Sequence, residues 1–365
     1  METEFNNRYS RHVLLKGFGA AAQEKLLAAK VLVIGAGGLG CPALQYLAAA
    51  GVGLIGIVDD DIVSLSNLQR QVIYKASDVG QKKASIAAAR MLELNPGIKV
   101  VPYVLRLDTT NALKLFSEYD IIVDGTDNFA TRYLINDACV LLKKPLVFAA
   151  VFQYEGQLAV FNVADVNGLK LNYRDLFDTP PAAEDAPDCN EAGVLGVLPG
   201  TMGVMQATEV IKLITGVGKP LLNKLLIYQA LEAESYTVQL TPGKNTAQAI
   251  PKTPEAFLNT NYEWFCDARR KLVDELEPEA FEELAELENV RVIDVREFGE
   301  YPKAYFDHEQ IPLSVILQDT PEFEESKILV FCQSGKRSLQ AAALIKEKSK
   351  AHQEVYSLKG GILNL

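Results

Sequence analysis

The sequence predicts an α/β protein that has a doubly wound, mainly parallel sheet followed by a smaller α/β unit. Apolar strand-like runs alternate with helical patterns from residue 31 to about 160, until a Pro- and Asp-rich stretch at 175–190 interrupts them. This alternation is typical of a parallel sheet that has helices on both faces. A shift in composition near residue 241 and a second strand–helix pattern from about 276 predict the smaller unit.

The elements of the first part follow from the spacing of their apolar residues. Residues 12–29 are expected to form a helical lead-in, and 200–214 a later helix. The predicted strands are Val31–Ile34, Leu54–Val58, Val100–Val104, Ile121–Val123, Leu146–Ala149, Gln157–Phe161, Leu225–Tyr228 and Tyr236–Leu240.

The second part repeats the pattern on a smaller scale. We predict an acidic helix at 278–288 and strands at Val290–Ile293 and Ile328–Phe331, with a helical run that ends near Lys348. The chain therefore divides into a first domain at 1–245, a connecting region at 246–273 and a second domain at 274–365.

Composition excludes several classes of protein. A chain of 365 residues can bury a large core, and its net charge of −11 argues against nucleic acid as the main partner. No apolar run is long enough to span a membrane, and the N-terminus lacks the pattern of a signal peptide. Five scattered cysteines do not form a disulfide framework, which indicates a reducing cytoplasm.

A glycine-rich turn at 35–40 (Gly-Ala-Gly-Gly-Leu-Gly) follows the first predicted strand and begins a helix. An acidic cluster at 59–61 follows the second strand. Strand, glycine turn, helix, strand and carboxylate form a nucleotide-binding βαβ unit. The glycines let the backbone approach phosphate, the helix N-terminus offers free N–H groups, and the carboxylate can bond ribose hydroxyls.

A polar stretch at 66–71 (Ser-Asn-Leu-Gln-Arg-Gln), followed by Lys83, changes the interpretation from NAD to ATP. A dinucleotide dehydrogenase needs no such cluster, whereas an enzyme that handles a triphosphate does. A nicotinamide-dependent oxidoreductase is the alternative, but it leaves Arg70 and Lys83 unexplained. Taken alone, Lys83 would be a solvated lysine of a Lys-Lys pair.

Six segments in this order resemble the ThiF/MoeB/HesA family, bacterial relatives of ubiquitin-activating enzymes. They are 8–12 (Arg-Tyr-Ser-Arg-His), 35–40, 59–71, 79–84, 124–128 (Asp-Gly-Thr-Asp-Asn) and 189–196. The resemblance implies ATP-dependent adenylation of the C-terminal glycine of a ubiquitin-like sulfur carrier that ends in Gly-Gly. Sulfur transfer would then give a thiocarboxylate for molybdopterin, thiamine or related thio-cofactor synthesis.

The resemblance also implies site residues. Arg70 and Lys83 neutralise phosphate charge, and catalysis then depends on positioning and charge stabilisation. Arg11 acts as an arginine finger across a homodimer interface, with a surface salt-bridge residue as the alternative. The implied nucleotide-binding set is Gly35, Gly37, Gly38, Asp59, Asp61, Ser66, Asn67, Arg70, Gln71, Lys83, Asp127 and Asn128.

Two carboxylates follow the strand at 121–123, where ligands of such sheets bind. Either could hold Mg²⁺ against phosphates, and Asp124 could instead cap a turn. The resemblance selects Asp127 as the magnesium residue.

Two cysteines are candidate sulfur nucleophiles. In the family, the cysteine at the position of Cys189 is sometimes a nucleophile and sometimes dispensable, and a partly buried apolar thiol is the equal alternative. Cys332 begins the loop 332–338 (Cys-Gln-Ser-Gly-Lys-Arg-Ser), whose cations and N–H groups would favour a thiolate and a persulfide.

The second unit resembles a rhodanese domain, the sulfur-carrying fold, through 294–297, 332–338 and 357–362. The stretch 308–314 departs from the family pattern, so a non-catalytic docking unit is the alternative. The expected sulfur donor is a protein such as a cysteine desulfurase.

Many relatives bind zinc through two Cys-x-x-Cys pairs, a pattern that is missing here. Asn172 and Asp175 occupy the place of the first pair, and 241–247 contains no cysteine. Four thiolates cannot be assembled from these residues, so no zinc is expected.

Overall fold

The computed structural model describes residues 7–177, 193–243, 246, 250–260, 262, 273–350 and 352–365. The chain divides into two compact units, unit 1 (Met1–Tyr262) and unit 2 (Glu263–Leu365). Within the described ranges, none of the helices combines the length and the apolar character that crossing a membrane requires.

Unit 1 contains an eight-stranded sheet in its described part. Its strands are β1 (Lys30–Ile34), β2 (Leu54–Val58), β3 (Lys99–Tyr103), β4 (Ile121–Asp124), β5 (Leu146–Phe152), β6 (Glu155–Phe161), β7 (Lys224–Gln229) and β8 (Glu234–Gln239). The spatial order is β3-β2-β1-β4-β5-β6-β7-β8. Strands β3 to β5 are parallel, whereas β5 to β8 pair antiparallel.

Helices cover this sheet. They are α1 (Ser10–Val13), α2 (Gly19–Ala28), α3 (Gly40–Ala50), α4 (Lys83–Leu94), α5 (Ala112–Ser117), α6 (Phe129–Leu142), α7 (Tyr173–Leu176), α8 (Val197–Thr215) and α9 (Pro254–Leu258). A main core joins apolar side chains of the central strands to α3, α4 and α8. Gly203 of α8 lies so close to the start of α3 that an ideal Cβ would be 2.2 Å from the carbonyl oxygen of Leu39.

Unit 2 contains a five-stranded parallel sheet in the order β11-β10-β12-β13-β9. Its elements are β9 (Asp274–Leu276), α10 (Pro278–Ala285), β10 (Val290–Asp294), β11 (Glu309–Gln310), α11 (Leu313–Gln318), β12 (Lys327–Phe331), α12 (Lys336–Lys348) and β13 (Glu354–Leu358). Buried side chains of β10 and β12 supply the centre of its two apolar clusters.

The predicted fold class is confirmed, and the differences are local. The helical lead-in at 12–29 is two helices, α1 and α2, because Gly17 and Gly19 adopt positive φ angles and break it. The connecting region at 246–273 contains α9, which begins with a Thr253 side-chain cap and Pro254 in the first turn. Most of the irregular stretch at 175–190 lies outside the described residues.

Candidate active site

A cavity of about 350 Å³ lies in unit 1 at the carboxyl ends of β1, β2 and β4. The chain leaves β1 for β2 and β3 on one side and returns to β4 on the other, and ligands bind at such a reversal of strand order. The residues that line the cavity lie between Ile34 and Pro199 in the sequence. Ten of the expected residues line it: Gly35, Gly37, Gly38, Asp59, Asp61, Arg70, Gln71, Lys83, Asp127 and Asn128.

The glycine turn forms one wall, and its backbone requires glycine. Gly35 has a φ of +88°, and an ideal Cβ there would lie 2.7 Å from the carbonyl oxygen of Gly125. At Gly40 a Cβ would lie 1.9 Å from the carbonyl oxygen of Gly35. At Gly35 and Gly40 the turn is therefore packed against backbone carbonyls with no room for a side chain.

Asp59 supports this turn from the end of β2. Its Oδ2 accepts a hydrogen bond from the N–H of Ala36 at 2.8 Å, and its Oδ1 accepts one from the N–H of Asp61 at 2.9 Å. Burial raises the pKa of Asp59 above its usual value, although these hydrogen bonds oppose the shift. A carboxylate has further lone pairs, so Asp59 can also accept from ribose hydroxyls.

Two cations flank the glycine turn. Lys83, the first residue of α4, is only 5% exposed, and its Nζ lies 2.9 Å from Oδ2 of Asp61. The alternative of a solvated Lys83 is therefore wrong. The Cδ of Arg70 lies 3.5 Å from the position of an ideal Cβ at Gly38, and both residues line the cavity.

Gln71 offers direct evidence that the cavity wall suits a polar ligand. Its side chain is 3% exposed, yet Oε1 has no hydrogen-bond partner among the described residues. Buried acceptors in native proteins are nearly always satisfied, so a donor from a bound nucleotide fits this position.

The two carboxylates after β4 have different surroundings. Asp124 is fully buried, and its Oδ1 accepts hydrogen bonds from the backbone N–H of Thr126 at 2.9 Å and the hydroxyl of Thr126 at 2.6 Å. Burial raises the pKa of Asp124, although the guanidinium of Arg132 opposes the shift. Asp124 therefore caps the turn, while Asp127 is exposed and lines the cavity.

The exposed carboxylate of Asp127 provides oxygen atoms of the kind that Mg²⁺ takes as ligands. The described residues contain no cluster of three or more His, Cys, Asp or Glu side chains that could hold a metal alone. Mg²⁺ at nucleotide sites usually takes one or two carboxylates and completes its shell with phosphate oxygens and water. Asp127 fits that requirement.

Some expected residues lie elsewhere. Ser66 and Asn67 form a short 3₁₀ turn outside the lining, and the hydroxyl of Ser66 pairs with that of Ser64 at 2.7 Å. The turn instead fixes the backbone of Arg70 and Gln71, because the carbonyl of Asn67 accepts hydrogen bonds from the N–H groups of both residues. Cys189 lies outside the described residues.

Several lining residues were missed by the sequence analysis. Arg106 and its neighbours follow β3 at the same sheet edge, so the position of that strand's end could have identified them. Thr131 lies in the first turn of α6, where its N–H donates to Asn128. Pro199 comes from α8 and had no local signal in the sequence.

Arg11 lies at the other end of the helices that flank the cavity. Its neighbour Tyr9 is 5% exposed and accepts a hydrogen bond from the side chain of Asn95 at 2.9 Å. Asn95 caps the carboxyl end of α4, whereas Lys83 begins that helix at the cavity. The helix has 12 residues and is therefore about 18 Å long. Arg11, on the exposed turn α1, does not line the cavity of its own chain.

Asn172 and Asp175, which stand where the resemblance implied a Cys-x-x-Cys pair, form hydrogen bonds. Oδ2 of Asp175 accepts from the backbone N–H of Asn172 at 2.9 Å and from its side-chain amide at 2.7 Å. Oδ1 of Asp175 accepts from the N–H of Gly243 at 2.9 Å. One carboxylate therefore joins α7 to the segment after β8.

In unit 2, Cys332 directly follows β12 and begins a loop that ends in α12. Gly335 caps this helix with a φ of +88°. Cys332 is fully buried among apolar side chains such as Ile293 and Val295. The backbone N–H of Ile362 donates to the carbonyl of Cys332 at 2.8 Å, so the segment after β13 covers the loop.

Arg337 was expected to contribute positive charge near Cys332, but it is paired with a carboxylate. Both of its terminal nitrogens donate to the carboxylate of Glu300, at 2.6 and 2.7 Å, so that its charge is compensated. These hydrogen bonds lower the pKa of Glu300 below its usual value. The sequence could not identify this partner, because Glu300 lies in a separate loop.

Comparison with known proteins agrees with both units. The ThiF family pattern matches residues 9–249, and the rhodanese-like domain pattern matches residues 277–365. The probable adenylyltransferase/sulfurtransferase MoeZ of Mycobacterium tuberculosis is 42% identical, across 98% of this chain and 91% of its own length. The sulfur carrier protein adenylyltransferase of Thermus thermophilus is 48% identical, across 72% of this chain and 97% of its own.

Solved structures show the same relationship. The crystal structure of E. coli MccB superposes on this chain with a TM-score of 0.57 and 26% sequence identity. The match includes 65% of this chain and 70% of the MccB chain. Both resemblances inferred from the sequence motifs are thereby confirmed. The chain belongs to the ThiF family, and a rhodanese-like domain follows its ThiF domain.

Proposed function

We propose that this chain is an adenylyltransferase and sulfurtransferase that activates the C-terminal glycine of a ubiquitin-like sulfur carrier ending in Gly-Gly. One observation supports this most. A single cavity combines the glycine turn, the cations Arg70 and Lys83, and the carboxylate of Asp127, which come from four separate segments. An oxidoreductase that binds NAD has no use for the two cations and the carboxylate after β4 together.

The reaction proceeds by attack of the carrier carboxylate on the α-phosphate of ATP. A new C–O–P linkage forms, the bond to pyrophosphate breaks, and an acyl adenylate remains. Arg70 and Lys83 stabilise negative charge on the phosphates, and the Asp61 carboxylate fixes the position of Lys83. Mg²⁺, held by Asp127, would neutralise phosphate charge and orient the leaving pyrophosphate.

Arg11 completes the site of a second copy of the chain in this proposal. Tyr9, two residues before Arg11, is bonded to Asn95 at the carboxyl end of α4, whereas Lys83 begins the same helix at the cavity. Arg11 is thus held about the length of α4 away from the cavity of its own chain, which supports action on a neighbouring subunit. The proposed assembly is therefore a homodimer through unit 1.

Sulfur then replaces AMP on the carrier by way of a cysteine persulfide. The outer sulfur of the persulfide attacks the acyl adenylate, AMP leaves, and an acyl disulfide forms between the carrier and the cysteine. A thiol reductant then attacks the cysteine sulfur, forms a disulfide with it and releases the carrier as a thiocarboxylate. We assign the carrying of sulfur to Cys332, which receives it from a protein donor such as a cysteine desulfurase. Cys189 is the other candidate nucleophile. The product serves molybdopterin, thiamine or another thio-cofactor pathway.

The deciding experiment is carrier-dependent exchange of pyrophosphate into ATP. The wild-type chain should catalyse it with a Gly-Gly-ending carrier and Mg²⁺, and Asp127→Ala should abolish it without loss of folding. Glu24→Ala, which removes an exposed carboxylate of α2, is the control and should keep full activity. Tight binding of NAD without binding of ATP would contradict the proposal, and exchange retained by Asp127→Ala would contradict the metal assignment.

A further inference from the structure

We infer that Tyr74 is a positioning residue for phosphate binding: its hydroxyl orients the peptide that presents the N–H of Gly37 to the nucleotide. The same hydroxyl lies near the start of α4, where the carbonyl of Lys83 is a second, longer contact. The inference rests on the nucleotide site proposed above, and Tyr74 itself does not line the cavity.

Tyr74 is buried directly behind the glycine turn. It is 6% exposed, and its hydroxyl donates to the carbonyl oxygen of Ala36 at 2.8 Å. The carbonyl oxygen of Lys83 lies 3.4 Å from the same hydroxyl. A phenolic hydroxyl has one hydrogen, so the shorter contact with Ala36 is the main bond.

The direction of this bond determines where the next N–H group points. The peptide between Ala36 and Gly37 is planar and trans, so its C=O and N–H point in opposite directions. Because the carbonyl of Ala36 points inward to Tyr74, the N–H of Gly37 faces the opposite side, where Gly37 lines the cavity. An amide directed at a phosphate is the donor that a glycine turn supplies.

Other contacts hold Ala36 but do not replace the hydroxyl. The N–H of Ala36 donates to Asp59, which fixes the preceding peptide rather than the one that contains the N–H of Gly37. The thiol of Cys41 lies 3.3 Å from the carbonyl of Ala36, and a thiol is a weak donor. Burial raises the pKa of Tyr74 far above its usual value, so the hydroxyl keeps its proton at any physiological pH.

Removal of the hydroxyl leaves the buried carbonyl of Ala36 with a weak donor only. The peptide then loses its preferred orientation, and nucleotide binding must restore it at the expense of affinity. A loss of this hydrogen bond should therefore appear in ATP binding, beyond any effect on folding.

The test compares Tyr74→Phe with Tyr119→Phe in the full-length chain. Tyr119 is 1% exposed, and its hydroxyl pairs with that of Tyr103 at 2.9 Å, away from the cavity lining. Both variants lose one buried hydroxyl and should lower the unfolding temperature. Calorimetric titration with ATP and Mg²⁺ should show about a tenfold higher Kd for Tyr74→Phe, the size expected for one lost hydrogen bond, and an unchanged Kd for Tyr119→Phe.

Unchanged ATP affinity of a folded Tyr74→Phe variant overturns the inference, as does an equal loss of affinity in both variants. A wild-type chain that does not bind ATP overturns the proposed function itself, and with it the role of Tyr74. A selective loss in Tyr74→Phe, accompanied by a higher KM for ATP in pyrophosphate exchange, supports the positioning role.

Discussion

Buried charges at the residue scale show how unit 1 stabilises the strand end that carries Asp127. The carboxylate of Asp124 lies 3.7 Å from the guanidinium of Arg132, which also packs over the rings of Phe129 and Phe148. A buried charge is costly unless it is paired and hydrogen-bonded, and cation–π contacts compensate part of that cost for arginine. The turn at Thr126 therefore has a rigid support.

Glu300 gives unit 2 a local pH dependence. Its pKa is lowered by the hydrogen bonds from Arg337, so the folded state binds its proton less readily than the unfolded chain does. The stabilisation is complete above the unfolded pKa of about 4.3 and disappears as the pH falls through the lower folded value. Glu300→Gln should reduce the hydrogen-exchange protection of 333–348 by about two- to fivefold at pH 7, as expected for a partly exposed pair.

The same variant should have no effect relative to wild type once the pH is well below 4. Glu354→Gln, which breaks the exposed pair with Lys327, is the matched control and should change little at any pH. Equal protection in Glu300→Gln and wild type at pH 7 would show that the pair does not stabilise the loop.

The sequence predicted cavity-lining residues that belong to local motifs, and it missed contacts between residues that are far apart in the chain. The glycine turn and Asp59 act through neighbours on adjoining strands, so their spacing indicated their place. Cys332 was expected beside cations, but Glu300 compensates Arg337 from another loop. No sequence motif indicated Tyr74, since only the folded turn brings the carbonyl of Ala36 to its hydroxyl.

At the scale of elements, Asp175 joins α7 to the segment after β8. Asp175→Ala removes the acceptor of the N–H of Gly243 and of two donors on Asn172. We expect a loss of about 1–3 kcal/mol in the free energy of unfolding, because these partly buried donors lose their partner. Chemical denaturation of the variant and the wild-type chain measures it, and hydrogen exchange should locate the loss at Gly243.

Asp165→Ala provides the comparison, because Asp165 likewise accepts from two backbone N–H groups, in the turn after β6. It should also destabilise unit 1, but it should leave exchange at Gly243 unchanged. Elemental analysis should find no stoichiometric zinc, and a chelator should not shift the unfolding temperature. One zinc per chain would mean that this lobe has ligands of another kind.

Element positions were predictable where a strand is an unbroken apolar run, and less so where a helix is defined by its cap residues. The strand Leu54–Val58 was predicted with its observed bounds, because both faces of the sheet are covered and the run is wholly apolar. Helix α9 was missed in a stretch without clear periodicity, although Thr253 and Pro254 form a recognisable start. The boundaries 1–245, 246–273 and 274–365 stay predictions.

At the scale of the whole molecule, the position of Arg11 predicts that two inactive variants can complement each other in a mixed dimer. Chains with Arg11→Ala and chains with Asp127→Ala should each lack pyrophosphate exchange. Mixed dimers should recover it at one of their two sites, which receives an intact Asp127 and an intact Arg11 from different chains. Recovery should approach about one quarter of wild-type activity in a random equal mixture, since half of the dimers are mixed and one site in each is complete.

Activity that stays at the level of the separate variants would mean that Arg11 acts within its own chain or not at all. Arg8→Ala is the control, because the Arg8 guanidinium donates to the carbonyl of Leu94 within its own chain. That variant should keep most of its activity without any partner.

The division into two units predicts that the two half-reactions separate. Cys332→Ala should block transfer of sulfur but leave carrier adenylation at the wild-type rate, because the cavity residues all belong to unit 1. Mass spectrometry after incubation with thiosulfate or a persulfidated cysteine desulfurase should find one added sulfur atom on Cys332 in the wild-type chain. Sulfur on Cys189, or on no cysteine, would make unit 2 a docking module.

The cavity lining begins at Ile34 and ends at Pro199, and this span affects when the protein becomes competent during its synthesis. A nascent chain that has not yet reached α8 already contains the glycine turn, Lys83 and Asp127, but lacks one wall of the cavity. Helix α8 also packs against the start of α3 through Gly203. Nucleotide binding should therefore arise late in translation, after more than half of the chain has left the ribosome, and partial chains should not capture ATP.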